Sequence, residues 1–384
     1  MPTEAAYKSL RRYRHIAWIT VAAVYFLILV GASVRASGAG MGCPDWPTCF
    51  GQWIPPTSEA QLPADYQQIY ADRGYAETRF NVVKTWTEYV NRLVGVTIGL
   101  LVFLTAVCSW PCRTHDRRIV IVSVLAFLLV GLQGWLGGVV VGSNLQPGVI
   151  TLHTLMALVI VGTLLYAVAR AERSISAVAR AQRSISSISS VSDASSANSI
   201  SGISSMATQS AAIAPRFEWW LYLVLALTLF QVALGTQVRE MTDFIARDQG
   251  EALRSSWIEA MPWFFYVHRS FSAVVLLANV WLAWLLVNSL GWNHTLTRTT
   301  LAMIGIIILA VLSGATLGHL GMPALVQPTH LLAAALLFGL QFLIWMGYRA
   351  LTTTATTPTT TNTTIPAHTI ADAPASATGK VNNA

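Results

Sequence analysis

The sequence predicts an all-α membrane protein with eight transmembrane helices, on three observations. Only 11% of the 384 residues are charged, whereas a soluble domain carries about a quarter. Hydrophobic residues make up 54%, and the mean hydropathy is +0.54. Charge-free apolar windows long enough to cross a bilayer recur along the chain. This composition argues against a soluble enzyme, a disordered scaffold, a coiled coil and a disulfide-stapled secreted domain.

The charge-free windows give the number of spans, because about 20 apolar helical residues cross the hydrocarbon core. Two of the six windows are long enough for two spans each, and Gly/Pro breaks at residues 142–148 and 318–328 divide them, which gives eight. The apolar runs are continuous rather than alternating, which excludes a barrel. The windows are Ile16–Val34, Leu93–Pro111, Ile119–Ala169, Trp219–Val238, Ser270–Thr297 and Thr299–Tyr348.

Basic residues predict the orientation, since Lys and Arg collect in cytoplasmic flanks. They precede the first span, lie between the second and third, and recur after the fourth, so both termini are expected in the cytoplasm. No small-residue cleavage site follows the first span, which is therefore interpreted as retained. The flanking residues are Lys8, Arg11, Arg12, Arg14, Arg113, Arg117, Arg118, Arg170, Arg173, Arg180, Arg183 and Arg216.

Five segments are predicted. The linker contains a tandem duplication, AVARAERSIS followed by AVARAQRSIS, that runs into Ser-rich sequence. The Thr-, Ala- and Pro-rich tail is predicted to be disordered. The segments are a cytoplasmic N-terminus (1–15), a first bundle (16–170) with an outer loop (35–88), a cytoplasmic linker (171–216), a second bundle (217–350) and the tail (351–384).

A second repeat relates the two halves of the chain. The string EYVNR that begins at Glu88 matches FYVHR that begins at Phe265, 177 residues later, and His153 and His330 are the same distance apart, each after a Gln-Pro pair. GASVR at the end of span one likewise resembles GTQVR at the end of span five. These matches predict two tandem four-helix bundles, related by a pseudo-twofold axis along the membrane normal because each has an even number of spans.

Three histidines are predicted one turn inside the outer ends of spans four, six and eight: His153, His268 and His330. An ionisable side chain at that depth is costly without a partner, so a functional role is the first hypothesis. His268 and His330 can face each other across the second bundle and ligate haem iron. A hydrogen-bonded structural pair is the alternative, and zinc is less favoured because no third or fourth ligand is nearby.

The first half lacks one of these ligands. His153 remains, but Asn91 stands at the position of His268, and Glu88 stands at the position of Phe265. Glu88 is either a solvated carboxylate near a helix start or an acid/base group on the same face as Asn91. The second half therefore resembles a closed two-ligand site, and the first an open site with a carboxylate.

Four arginines lie at the outer membrane boundary in matched pairs: Arg35, Arg92, Arg239 and Arg269. They are either snorkelling anchors or partners of haem propionates. We assign Arg239 and Arg269 to the haem of the second half, and Arg35 and Arg92 to the haem of the first.

The outer loop carries the string GMGCPDWPTCFG, with Cys43 and Cys49 in an oxidising compartment. A disulfide is expected there. It either staples the loop over the first-half site or passes electrons as a redox-active pair. Cys108 and Cys112, at the cytoplasmic end of span two, are expected to stay reduced and are assigned no role.

Together, the VRASGAGMGCPDWPTC string, EYVNR and the two Gln-Pro…His repeats resemble the haem A synthase family over about residues 12–350. The resemblance implies oxidation of the C8 methyl of haem O to a formyl group by successive hydroxylations, which supplies haem A for terminal oxidases. It also implies haem b held by His268 and His330, the haem O substrate in the first half at His153, and an essential carboxylate at Glu88. Asn91 departs from the family pattern, which has His there, so His153 alone is expected to bind the substrate iron.

The resemblance further implies a bacterial inner-membrane protein surrounded by lipid. Haem O synthase and oxidase assembly factors are candidate partners, a homo-oligomer is a candidate assembly, and no nucleic acid is expected. A di-haem b electron-transfer subunit or haem-handling protein is one alternative. A quinone-linked thiol oxidoreductase is another, but it would need a second outer cysteine pair.

Overall fold

The computed structural model describes residues 4–76, 78–190, 216–250, 253 and 256–355. In this part of the chain, eight helices are long and apolar enough to cross a membrane, and β-type pairing is confined to an isolated bridge between Cys49 and Gln52. The prediction of an eight-helix, all-α membrane protein is confirmed. The helices are α1 (Glu4–Ala36), α2 (Val82–Ser109), α3 (Arg117–Gly142), α4 (Pro147–Ser190), α5 (Arg216–Gln249), α6 (Trp263–Leu290), α7 (Thr295–His319) and α8 (Val326–Ala355).

The two breaks predicted inside the long apolar windows are helix ends. Helix α3 ends at Gly142, and α4 begins at Pro147. Proline is favoured at the first position of a helix, because a backbone N–H there would have no partner within the helix. Asn144 and Leu145 between them take φ values of 55° and 62°, the left-handed conformation that ends a helix. The second break separates α7 from α8.

The helices pack as two groups of four. In the first, α1 and α3 each contact both α2 and α4; in the second, α6 and α8 each contact both α5 and α7. Helix α8 also packs on α1 and α4, and α4 packs on α5, so the two groups share an interface. There, the rings of Phe338 and Phe342 lie against Gly162. The pseudo-twofold axis stays a prediction.

One end of the bundle, called here the loop side, carries the connection 37–81 between α1 and α2. Helices α2, α4, α6 and α8 all begin on this side. His153, His268 and His330 therefore lie in the first two turns of α4, α6 and α8, at a similar depth. The basic flanks of α1 and α3 lie at the opposite end, and the orientation of that end toward the cytoplasm stays a prediction.

Large apolar side chains cover the outward faces of the helices. Leu100, Leu128, Leu277 and Leu312 are 63%, 61%, 67% and 60% exposed. In water such a surface would be an aggregation hazard. Against lipid tails it has no such cost, which agrees with the membrane assignment.

Helix α4 is longer than the sequence analysis expected. It continues to Ser190, through both duplicated decapeptides, so the first part of the predicted linker is helical. Residues Ala171, Ile175 and Val178 recur at helical spacing and are buried, and Arg170 pairs with Asp116 at 2.5 Å. The sequence analysis missed this amphipathic pattern because it relied on the Ser- and Ala-rich composition of the segment. The rest of the linker, 191–215, and the tail beyond 355 lie outside the described residues, and the other domain bounds stay predictions.

Candidate functional site

A cavity of about 450 Å³ lies inside the second group of helices, near the loop side. His268 and His330 line it from α6 and α8, with ring centroids 6.4 Å apart and ring planes at 76°. The sequence analysis predicted this pair, and the structure brings the two rings together.

Hydrogen bonds orient the His330 ring. Its Nδ1 lies 3.0 Å from the carbonyl oxygen of Ala310 and 3.0 Å from the hydroxyl of Ser313. When Nδ1 is protonated, it donates a hydrogen bond to the Ala310 carbonyl, and the lone pair of Nε2 stays available for a metal. This is the usual arrangement of ligating histidines. The Nδ1 atom of His268 is buried without a hydrogen-bond partner among the described residues, and its ring is free to be oriented by a ligand.

The distance between the two rings fits an iron between them. A metal–imidazole bond is about 2 Å and a ring centroid lies about 1 Å from its nitrogen, so imidazoles on opposite sides of one iron have centroids about 6 Å apart. Porphyrin nitrogens would complete the coordination. In the described part of the chain, no three His, Cys, Asp or Glu side chains gather as a metal site of their own.

Glycines make room for both imidazoles. A Cβ at Gly235 would lie 3.1 Å from Cε1 of His268, and a Cβ at Gly314 would lie 3.1 Å from Cε1 of His330. Real Cβ atoms rarely approach so closely, so a larger residue at either position would displace a ring. The sequence analysis gave neither glycine a role, although Gly235 begins the repeated GTQVR string and the 177-residue offset pairs Gly314 with Gly137.

A charged cluster on the loop side joins the two halves. Asp243 of α5 accepts hydrogen bonds from Arg35 at 2.7 and 3.0 Å and pairs with Arg239 at 2.7 Å. Both arginines line the second-half cavity, as does Arg269. Arg35, which the sequence analysis assigned to the first-half haem, thus lies at the edge of the second-half cavity, and its role toward either haem stays a prediction. Sequence analysis overlooked Asp243.

The first half has the matching geometry with one imidazole. A Cβ at Gly137 would lie 3.6 Å from Cε1 of His153, and a Cβ at Gly31 would lie 3.9 Å from Oδ1 of Asn91. The carbonyl of His153 accepts a hydrogen bond from Gln133 at 3.0 Å. His153 Nδ1 and Asn91 Oδ1 are both buried without a hydrogen-bond partner in the described residues, which suits a site that a polar ligand or a metal completes.

Glu88 is buried, at 4% exposure, and both its carboxylate oxygens have partners. One oxygen pairs with Arg92 at 2.5 Å, and the other accepts a hydrogen bond from the backbone N–H of Cys43 at 2.8 Å. Arg92 in turn donates to the carbonyls of Asp45 and Thr48, at 2.8 and 2.7 Å. The pair thus holds the outer loop, and the assignment of Arg92 to a haem propionate stays a prediction.

The outer loop is docked tightly on α2. Cys43 and Cys49 form a disulfide, and both are fully buried. Thr85 donates to the carbonyl of Gly42 at 2.8 Å, and a Cβ at Gly42 would overlap the backbone of Lys84. The loop thus contacts one face of α2 through residues 85, 88 and 92, which share a helical stripe. Cys108 and Cys112 are not disulfide-bonded, as expected.

Aromatic rings stabilise the rest of the loop. Phe50 meets Tyr66, Tyr70 and Tyr75 edge to face, with centroids 5.3 to 6.3 Å apart. Burial raises the pKa of the Tyr75 hydroxyl, so it stays protonated and donates to the carbonyl of Met41 at 2.7 Å.

Comparison with known proteins identifies the family. Residues 14–342 match the model of COX15-CtaA, described as cytochrome oxidase assembly protein. The chain belongs to this family. The COX15-CtaA match extends across both four-helix groups, in agreement with the resemblance seen in the sequence.

Similar proteins include three heme A synthases. That of Methylobacterium radiotolerans is 31% identical over 174 residues, 42% of this chain and 47% of that protein. That of Shewanella oneidensis is 32% identical over 162 residues, 41% and 46% of the two chains. That of Geobacillus kaustophilus is 27% identical over 144 residues, 37% and 38%. The chain thus spans less than half the length of each of these COX15-CtaA relatives in the matched segment.

Proposed function

We propose that this chain is a haem A synthase that oxidises the C8 methyl group of haem O to a formyl group by successive hydroxylations. Membership in the COX15-CtaA family and relatives named heme A synthase support this function. The observation that carries it is the difference between the halves: two facing imidazoles in the second, and one imidazole with an unpartnered Asn91 in the first.

The second half is proposed to hold haem b as a resident cofactor. His268 and His330 would hold its iron, and Arg35, Arg239 and Arg269 lie at the cavity edge, where propionates need positive partners. Haem b supplies one-electron chemistry when bound. Both imidazoles line this cavity.

The first half is proposed to bind the haem O substrate. His153 would bind its iron from one side, and the Asn91 amide, a poor iron ligand, would leave the other side open. Glu88 was predicted as an acid/base group, but both its oxygens accept hydrogen bonds from the loop and Arg92. We therefore assign Glu88 a positioning role, in which it fixes the disulfide loop over this site.

The alternative of a di-haem electron-transfer subunit requires two equivalent sites. The two halves differ at corresponding positions of the repeat: Asn91 corresponds to His268, and Glu88 corresponds to Phe265. These differences argue against equivalent sites. We infer a bacterial inner membrane from the family resemblance, and cytoplasmic termini from the distribution of the basic residues.

Pigment extraction tests the proposed function. Membranes that contain haem O should yield haem A when the chain is expressed and only haem O without it. Unchanged haem O at normal protein levels would overturn the function, and haem b in both halves would favour the electron-transfer alternative.

Replacing Asn91 with His should close the open face of the substrate site. A second imidazole would restore the family pattern and offer the iron a second ligand, so we expect bound haem O to become low-spin and its cyanide affinity to fall at least about tenfold. Absorption spectra of the haem O complex and its cyanide affinity measure the change directly. Asn91→Gln, which keeps the amide, is the matched control. Higher turnover in Asn91→His with an unchanged substrate-haem spectrum would contradict the one-ligand site.

A further inference from the structure

Trp46, in the disulfide loop, packs on a glycine of α3. A Cβ at Gly138 would lie 3.0 Å from Cδ2 and 3.1 Å from Cε3 of the indole. The contact is with the body of the ring, not with a flexible tip. Gly138 thus gives the indole its place against the helix.

The internal repeat shows which way Gly138 faces. Its counterpart 177 residues later is Ala315, which lines the second-half cavity. The neighbouring pair obeys the same relation, because Gly137 lies against His153 as Gly314 lies against His330. The surface of α3 at Gly138 is therefore the surface that faces the first-half site, and Trp46 covers it.

Gly95 of α2 offers a second indication from the repeat. A Cβ at Gly95 would meet no atom within 4 Å. Its counterpart, Ser272, lines the second-half cavity. Gly95 is one helical turn from Asn91, whose Oδ1 atom is buried without a partner among the described residues. These positions favour a ligand site at the level of Asn91.

The loop holds Trp46 firmly while leaving half of its surface free. Asp45 accepts hydrogen bonds from the backbone of Phe50 and Gly51 at 2.6 and 2.8 Å, and Arg92 binds the carbonyls on both sides of Trp46. The indole is nonetheless 47% exposed. A rigidly held, half-exposed aromatic ring is suited to contact a flat apolar ligand.

We propose that Trp46 contacts the substrate: its indole, seated on Gly138 by the disulfide loop, forms the loop-side wall of the first-half site and packs against the haem O macrocycle. This inference rests on the proposed function and adds a residue to it. It also explains the role of the Glu88–Arg92 pair, which holds the loop that carries Trp46.

Two substitutions test the contact from both sides. Trp46→Ala removes the indole, and Gly138→Ala displaces it by the added Cβ. Each should weaken haem O binding about tenfold, the scale of losing one aromatic contact, and lower haem A yield. Trp46→Phe should retain most of the affinity. Binding is measured by titrating haem O into purified protein that carries its resident haem.

Matched controls come from the same segments. Trp53→Ala replaces a tryptophan that is 72% exposed on the same loop, and Gly131→Ala adds a Cβ two turns away on α3, where nothing lies within 4 Å. Both should bind haem O within about twofold of the unsubstituted protein. An unchanged absorption spectrum of the second-half haem shows that each variant is folded.

The outcomes separate this inference from the function on which it rests. If Trp46→Ala and Gly138→Ala bind haem O as tightly as their controls, the proposed contact is wrong while the function stands. If the unsubstituted protein neither binds nor converts haem O, the proposed function is wrong.

Discussion

His268→Ala and His330→Ala are each expected to lose the haem b proposed for the second half. Each ring would hold the iron through one nitrogen, and neither can take the other's place because their centroids lie 6.4 Å apart. Either substitution would remove one of the two protein ligands and also a packed side chain from the cavity. The reduced-minus-oxidised absorption spectrum of the purified variant should lack the low-spin b-type bands, and haem A yield should be lost with them.

His319→Ala is the matched control for these two variants. His319 ends α7, lines the same cavity and is exposed. Its replacement should leave the b-type spectrum intact. Added imidazole should restore part of the spectrum in His268→Ala and His330→Ala, because it supplies the missing nitrogen. Normal low-spin bands in both histidine variants without imidazole would refute the ligand assignment.

Glu88→Gln is expected to have the largest effect in the first half. The substitution keeps the shape of the side chain but removes its charge, so the guanidinium of Arg92 remains buried at 12% exposure without a counter-ion. Breaking a buried ion pair in this way costs about 3 kcal/mol or more. Because the pair holds the loop at Cys43, Asp45 and Thr48, we expect haem A yield to fall about a hundredfold.

The second-half haem distinguishes this effect from global unfolding. Glu88→Gln should keep the b-type spectrum, since Glu88 lies in the other four-helix group. Glu59→Gln is the matched control, because Glu59 is exposed on the same loop and accepts a single hydrogen bond from Tyr66 at 2.9 Å. Full conversion of haem O to haem A by Glu88→Gln would exclude both a catalytic and a positioning role.

Most of the fold could be predicted because the bilayer constrains it strongly. Each span must be apolar along its whole length, so the eight spans, the breaks between them and the depth of the histidines follow from the sequence. The pairing of His268 with His330 also followed, since both lie one turn from a helix start on the same side. The extension of α4 was missed because a duplicated Ser- and Ala-rich string resembles low-complexity sequence.

The contacts between distant segments could not be predicted in the same way. Arg35 and Asp243 are joined across the interface between the halves, and nothing in their local sequence indicates it. The roles of Glu88 and Arg92 depend on where the disulfide loop lies, although their i,i+4 spacing favours a pair. A purely local pattern locates residues along a helix, whereas their partners depend on packing.

The assignment of substrate to the first half and cofactor to the second is tested most directly by the pigments extracted from a His153→Ala variant supplied with haem O. Removing the single imidazole of the first half should abolish haem A formation while haem b remains bound to the second half. The predicted extract therefore contains haem b and unchanged haem O. Haem A at the level of the unsubstituted protein, or loss of haem b instead, would contradict the assignment of substrate and cofactor to separate halves.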